Sequence, residues 1–156
     1  MITHVECLEI TLYLIEQNRW NNTLFSRLEQ NIEQFQLKNF IIPTTQKLLR
    51  KYYTCPFLVD GPKGCSLSRK IKPYGCLAFN ATTASSHEQL DCQSSLNELA
   101  QLERDYATIL KSQNDFLEDK FKWYCRKMPI PNALLTLVSI PMEQLQVWGN
   151  QLLADS

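Results

Sequence analysis

The sequence predicts an all-α fold, a helical bundle with an irregular cysteine-rich loop, about residues 53–92, inserted between its halves. Three observations predict it. Apolar residues recur at helical spacing on both sides of the loop. Inside it the periodicity stops, and residues 52–80 hold three of the four glycines and three of the seven prolines. Beyond it, a single amphipathic stripe runs for about 30 residues, the pattern of a helix packed in a bundle. A chain of 156 residues is expected to form one domain.

The elements follow in order. A first helix over about 5–18 carries Val5, Leu8, Leu12 and Ile15, with Leu14 beside them. "NRWNN" breaks the pattern. Asn22 or Thr23 then caps a second helix, about 22–37, whose apolar positions are Leu24, Leu28, Ile32 and Phe35. Pro43 stands where a third helix, about 44–52, begins, followed by Leu48, Leu49 and Tyr52. "DGPKG" and "KPYG" mark turns in the loop. Ser86 with Gln89 and Ser95 with Glu98 both have capping-box spacing. The long helix, about 95–125, presents Leu96, Leu99, Leu102, Tyr106, Ile109, Leu110, Leu117, Phe121 and Tyr124, with Gln113 as the polar lapse. "KMPIPNALLTLVSIP" contains a short apolar helix, about 131–138, and "MEQLQVWGNQLL" forms a last amphipathic one, about 141–153.

Sixteen basic and sixteen acidic residues cancel, so charge supplies no general attraction to nucleic acid or to an anionic membrane. The start, "MITHVECLEITLYLIEQ", lacks the basic region of a signal peptide, and Glu6 and Glu9 interrupt its apolar run. No stretch approaches the roughly 20 apolar residues of a membrane span. The expected compartment is the cytoplasm, where Asn21–Thr23 and Asn80–Thr82 have no meaning as glycosylation triplets. There is no phosphate-binding glycine loop, no H-E-x-x-H and no nucleophile elbow. Whether the chain is an enzyme stays open at this point.

The cysteines carry the chemistry. Cys55, Cys65, Cys76 and Cys92 lie together, with Cys7 and Cys125 far outside. In a reducing compartment a cysteine cluster points to metal or redox chemistry over disulfides. Four thiolates are the number that a tetrahedral zinc site or an iron–sulfur cluster requires. The intervals of nine, ten and fifteen residues exceed the knuckle of a zinc finger. Yet Pro56 follows Cys55, Gly64 precedes Cys65 and Gly75 precedes Cys76, residues that turn backbone tightly around an ion. Lys63, Arg69, Lys70 and Lys72 favour thiolates nearby, or receive an anionic protein partner. His87, five residues before Cys92, is a substitute ligand. The plain alternative is a set of packed thiols, since free cysteine behaves as a small hydrophobe.

The run "CPFLVDGPKGCSLSRKIKPYGCLAFNATTASSHEQLDC" resembles the bacterial YkgJ-type cysteine-cluster proteins, described as a zinc- or iron-chelating domain. Cys55-Pro56-Phe57-Leu58 matches their pattern fully. Cys65-Ser66-Leu67 matches with Leu for Ile, Pro73 stands three residues before Cys76, and Cys92 falls where a later cysteine is expected. "PNALLTLV" extends the likeness more weakly. The departures are Ser68 for a tyrosine, Lys72 and Leu77 for arginines, and one extra residue between Cys65 and Cys76. The family's upstream Gly-Cys-x-x-Cys-Cys cluster has no counterpart. "VECLEITLYLIE" resembles the segment after that cluster, with Glu9 at the family's helix glutamate, which implies that the chain starts just past missing ligands. The resemblance implies zinc or iron, as a single ion or as an iron–sulfur cluster, held by Cys55, Cys65, Cys76 and Cys92. A flagellin lysine N-methylase resembles the same group, which leaves an iron-dependent enzyme or accessory subunit as an alternative. A helical interaction module with a decayed metal site is another.

Overall fold

The computed structural model describes residues 2–39, 53–60, 64–77, 79–81, 92–94, 96–121 and 128–154. Among these, the elements run α1 (His4–Glu16), α2 (Asn22–Gln34), α3 (Tyr74–Leu77), β1 (Phe79–Ala81), β2 (Cys92–Ser94), α4 (Leu96–Phe121), α5 (Ile130–Leu135) and α6 (Met142–Ala154). The fold is all-α, with one short ribbon. The helix expected over 44–52 lies outside the described residues, as do Ser86, Gln89 and Ser95 of the capping boxes.

Helix α1 is the axis. Val5, Cys7, Leu8, Ile10 and Leu14 are buried, and so are His4, Glu6 and Thr11. The sequence pattern marks a face through Val5, Leu8, Leu12 and Ile15. The first half of the helix is instead enclosed on most sides, while Leu12 and Ile15 are half-buried. The reason is packing from several directions, since α4, α5 and α6 all lie against it. Its polar groups are answered internally. Thr3 Oγ1 accepts from the Glu6 N–H at 3.4 Å, and Thr3 N–H donates to Glu6 Oε2 at 2.8 Å, a capping box that the spacing Thr3-x-x-Glu6 encodes. The Thr11 hydroxyl donates to Cys7 O at 2.9 Å. The Val5 N–H, free at the helix start, donates to Asn114 Oδ1 of α4 at 3.2 Å, and His4 Nδ1 lies 3.8 Å from Glu118 Oε1. Ahead of α1, Ile2 pairs with Met128 through two backbone bonds of 2.9 and 3.3 Å.

The far end of α1 closes in a Schellman motif. Asn18 takes φ 53°, its N–H donates to Ile15 O at 3.0 Å, and the Arg19 N–H donates to Leu14 O at 2.7 Å. The next helix, α2, is capped by Asn21, whose Oδ1 accepts from the Leu24 N–H at 3.1 Å. This corrects the expectation of Asn22 or Thr23. Asn21 is the residue with extended backbone three positions before Leu24, the geometry that an N-cap bond needs. Leu28 and Ile32 turn inward, and α2 packs on α5. The long helix holds Leu117 in the core, but Ile109, assigned by its spacing to the buried stripe, is 55% exposed. A 26-residue helix spans about 39 Å, roughly twice the length of α1 or α6, so part of α4 runs past the helices it packs on. At the other side, α6 turns Leu145, Trp148 and Leu152 inward. A Cβ on its Gly149 would stand 2.5 Å from Leu12 Cδ1, so this glycine permits the close approach of α1 and α6.

The described residues of the 53–92 segment are more structured than an irregular loop. A 3₁₀ turn covers Arg69–Ile71, α3 follows, and β1 pairs antiparallel with β2 in the register Phe79↔Ser94, Asn80↔Gln93 and Ala81↔Cys92. Phe57 and Leu67 are buried in the same cluster as Leu8, Leu28, Leu117, Leu134 and Leu145. The segment therefore contributes to the core instead of lying on it. Among the described residues, no helix is long and apolar enough to cross a membrane. Replacing the fully buried Leu8 by Ala removes a side chain at the point where the elements meet. A loss of about 2–5 kcal/mol in unfolding free energy is expected by urea titration.

Candidate metal centre

Three tethers from three parts of the bundle position the cysteine segment. The Ile130 N–H, free at the start of α5, donates to the Tyr53 hydroxyl at 3.1 Å. Asn31 of α2 donates from Nδ2 to Thr54 O at 2.8 Å. Arg19, just past α1, donates from Nη1 to Ser66 O at 3.0 Å and from Nη2 to Ser66 Oγ at 2.9 Å. Between these ties, Phe57 and Leu67 plug into the core. The chain thus arrives at Cys55 and Cys65 with its direction set.

Each of these two cysteines begins a tight turn. After Cys55 the Leu58 N–H donates to Cys55 O at 3.0 Å, and the Phe57 and Leu58 amides oppose the rise that burial gives the Cys55 thiol. After Cys65 the Leu67 N–H lies 3.5 Å from Cys65 Sγ. The two turns are joined by the Ser66 N–H, which donates to Phe57 O at 2.8 Å. Gly64, at φ 56°, makes the bend that brings the second turn back to the first. Cys76 sits on α3, where its N–H donates to Pro73 O at 2.7 Å.

All three thiols are half-buried and pack against the hydrophobic core. They are close enough to act on one another. Burial pushes the Cys76 thiol up to about 11, and negative charge on Cys55, Cys65 and Glu6 adds to the rise. Burial also raises Cys55, helped by Cys65 and opposed by the Phe57 and Leu58 amides. The Tyr53 hydroxyl is pushed up to about 12 by burial, against the Ile130 N–H bond, with Cys55 and Cys76 adding to the rise. Four acids, Cys55, Cys65, Cys76 and Glu6, therefore converge on one region. The sequence marks Glu6 only as a charge that interrupts the apolar run, and Glu9 as the helix glutamate of the resembled family. Glu9 is exposed, whereas Glu6 is buried at the start of α1.

The convergence is not a closed ligand set. Among the described residues, no three His, Cys, Asp or Glu side chains are assembled to hold an ion. Cys92 stands at the start of β2 opposite Ala81, the end of β1 away from Cys76, while Ser94 lies opposite Phe79. The backbone ribbon thus returns the chain toward α3 but sets the fourth cysteine a strand's length along. His87, Cys125 and Lys63 lie outside the described residues. Arg69 and Lys70 are exposed and Lys72 is half-buried. Cys7 is fully buried within α1. Beside Cys55, a groove of about 490 Å³ opens between α2 and the segment Thr54–Asp60, lined by Arg27, Asn31, Phe35, Leu58 and Val59. Its Asn31 Oδ1 is buried without a hydrogen-bond partner.

No family model matches the chain, and no curated protein or solved structure matches it either.

In the metal-free chain the pH behaviour of Cys76 follows from its surroundings. Its ordinary value is 9.0 and its folded value is about 11, so its contribution to stability is complete below pH 9 and is lost as the pH rises through about 11. Alkylation of folded Cys76, followed by peptide mass spectrometry after short pulses, is expected to rise with a midpoint near 11. A midpoint near 9 would show that the thiol is neither buried nor opposed by its neighbours.

Proposed function

We propose that this chain is a metal-binding protein that holds zinc or iron through the thiolates of Cys55, Cys65 and Cys76, with Cys92 as the fourth thiol. The observation that carries the reading is the turn in which the Leu67 N–H, two residues on, lies 3.5 Å from the Cys65 sulfur, with two more half-buried thiols, Cys55 and Cys76, packed against the same core. Such amides support a charged sulfur, and outer hydrogen bonds of this kind orient and tune thiolate ligands. A thiol that remained neutral would gain little from them. Burial holds protons on Cys55 and Cys76, and the charge of neighbouring acids adds to this, a repulsion that a divalent cation relieves. The donor chemistry, sulfur with few oxygens, fits zinc or iron and not magnesium or calcium. The resemblance of the Cys55–Cys92 run to the zinc- or iron-chelating cysteine-cluster proteins supports the same assignment. Because no three donors are assembled among the described residues, metal binding and closure of the segment are coupled events.

A second reading keeps the helices and discards the metal. It takes the unassembled donors at face value and treats the thiols as small hydrophobes in a helical interaction module, with the exposed Arg69 and Lys70 available to an anionic protein. The alternative of an iron-dependent enzyme or accessory subunit draws on the groove beside Cys55, which supplies space for a ligand next to a candidate ligating sulfur.

One experiment separates these. Tag-free protein prepared without oxygen is assayed for zinc and iron per chain, with its visible spectrum, beside Cys76→Ser. About one equivalent of zinc, lost in the variant, with chelation lowering the melting temperature, is the expected result. Iron with an oxygen-sensitive visible absorption moves the assignment to a cluster and favours the enzyme. A folded chain with less than about a tenth of an equivalent of either metal overturns the reading. In that case Cys76→Ser should cost only about 1–3 kcal/mol, an ordinary packing change.

A further inference from the structure

We draw no further inference here: the strongest candidate, the groove of about 490 Å³ between α2 and the segment Thr54–Asp60, is walled by both a cation and an acid, Arg27 and Asp60, beside the exposed Leu58 and Val59, and nothing in the structure shows what covers it.

Discussion

The enclosure of α1 is the constraint on which the rest depends. A helix buried on most sides of its first half has to satisfy its free N–H groups and polar side chains without water, since an unpaired buried group costs about as much as several good contacts supply. Thr3 and Glu6 answer each other, Asn114 answers Val5, and Thr11 turns back to Cys7 O. The Glu6 charge at this end also suits the helix dipole. Each answer ties α1 to a neighbour or to its own first turn. Only a set of elements that converges from several directions, α4, α5 and α6, completes the enclosure. The order of packing in the fold is therefore a consequence of where one short helix begins.

The cysteine segment inherits its position from that arrangement. Its backbone is held by groups with few other outlets: the free N–H at the start of α5, the Asn31 amide on α2, and the guanidinium at the end of α1. Phe57 and Leu67 add apolar anchors on either side of the bend. Glu6 belongs to both halves of the account. It closes the first turn of the central helix, and its charge is felt by the Cys76 thiol.

Much of the fold was legible because it depended on periodicity. The helix patterns around Val5–Ile15, Leu24–Phe35 and Met142–Leu152 lie within a few residues of α1, α2 and α6. Periodicity failed where tertiary context decided. Ile109 has the spacing of a core residue, yet α4 is too long to be covered there. The burial of α1 on most sides is invisible in one face of apolar residues, because His4, Glu6 and Thr11 read as polar surface until their partners are known. Thr3-x-x-Glu6 was a readable capping box and was passed over. At the site, Cys55, Cys65 and Cys76 were legible as residue types with turn-formers beside them, and the structure brings these three within each other's electrostatic reach. Arg19 was not legible, since only the fold brings the residue after α1 to Ser66.

The same burial that gathers the thiols also resists the ionisation of Cys55 and Cys76. A buried thiol near other acids keeps its proton, as Cys76 does up to about 11. On the metal-binding reading, an ion entering such a place has to displace protons from Cys55 and Cys76, which burial makes hold them more firmly than free cysteine does. The amides of Phe57 and Leu58 work in the opposite sense at Cys55, lowering the cost of the thiolate there. On the metal-binding reading the centre is then graded. At Cys55 those amides offset part of the rise that burial causes, whereas at Cys76 burial takes the thiol up to about 11. Such a gradient makes uptake steeply dependent on pH and ties the last bond to α3, whose N-terminal residue follows the buried Pro73. The helical frame and the loop chemistry are in this way one system, with α1 setting the burial and burial setting how firmly Cys55 and Cys76 hold their protons.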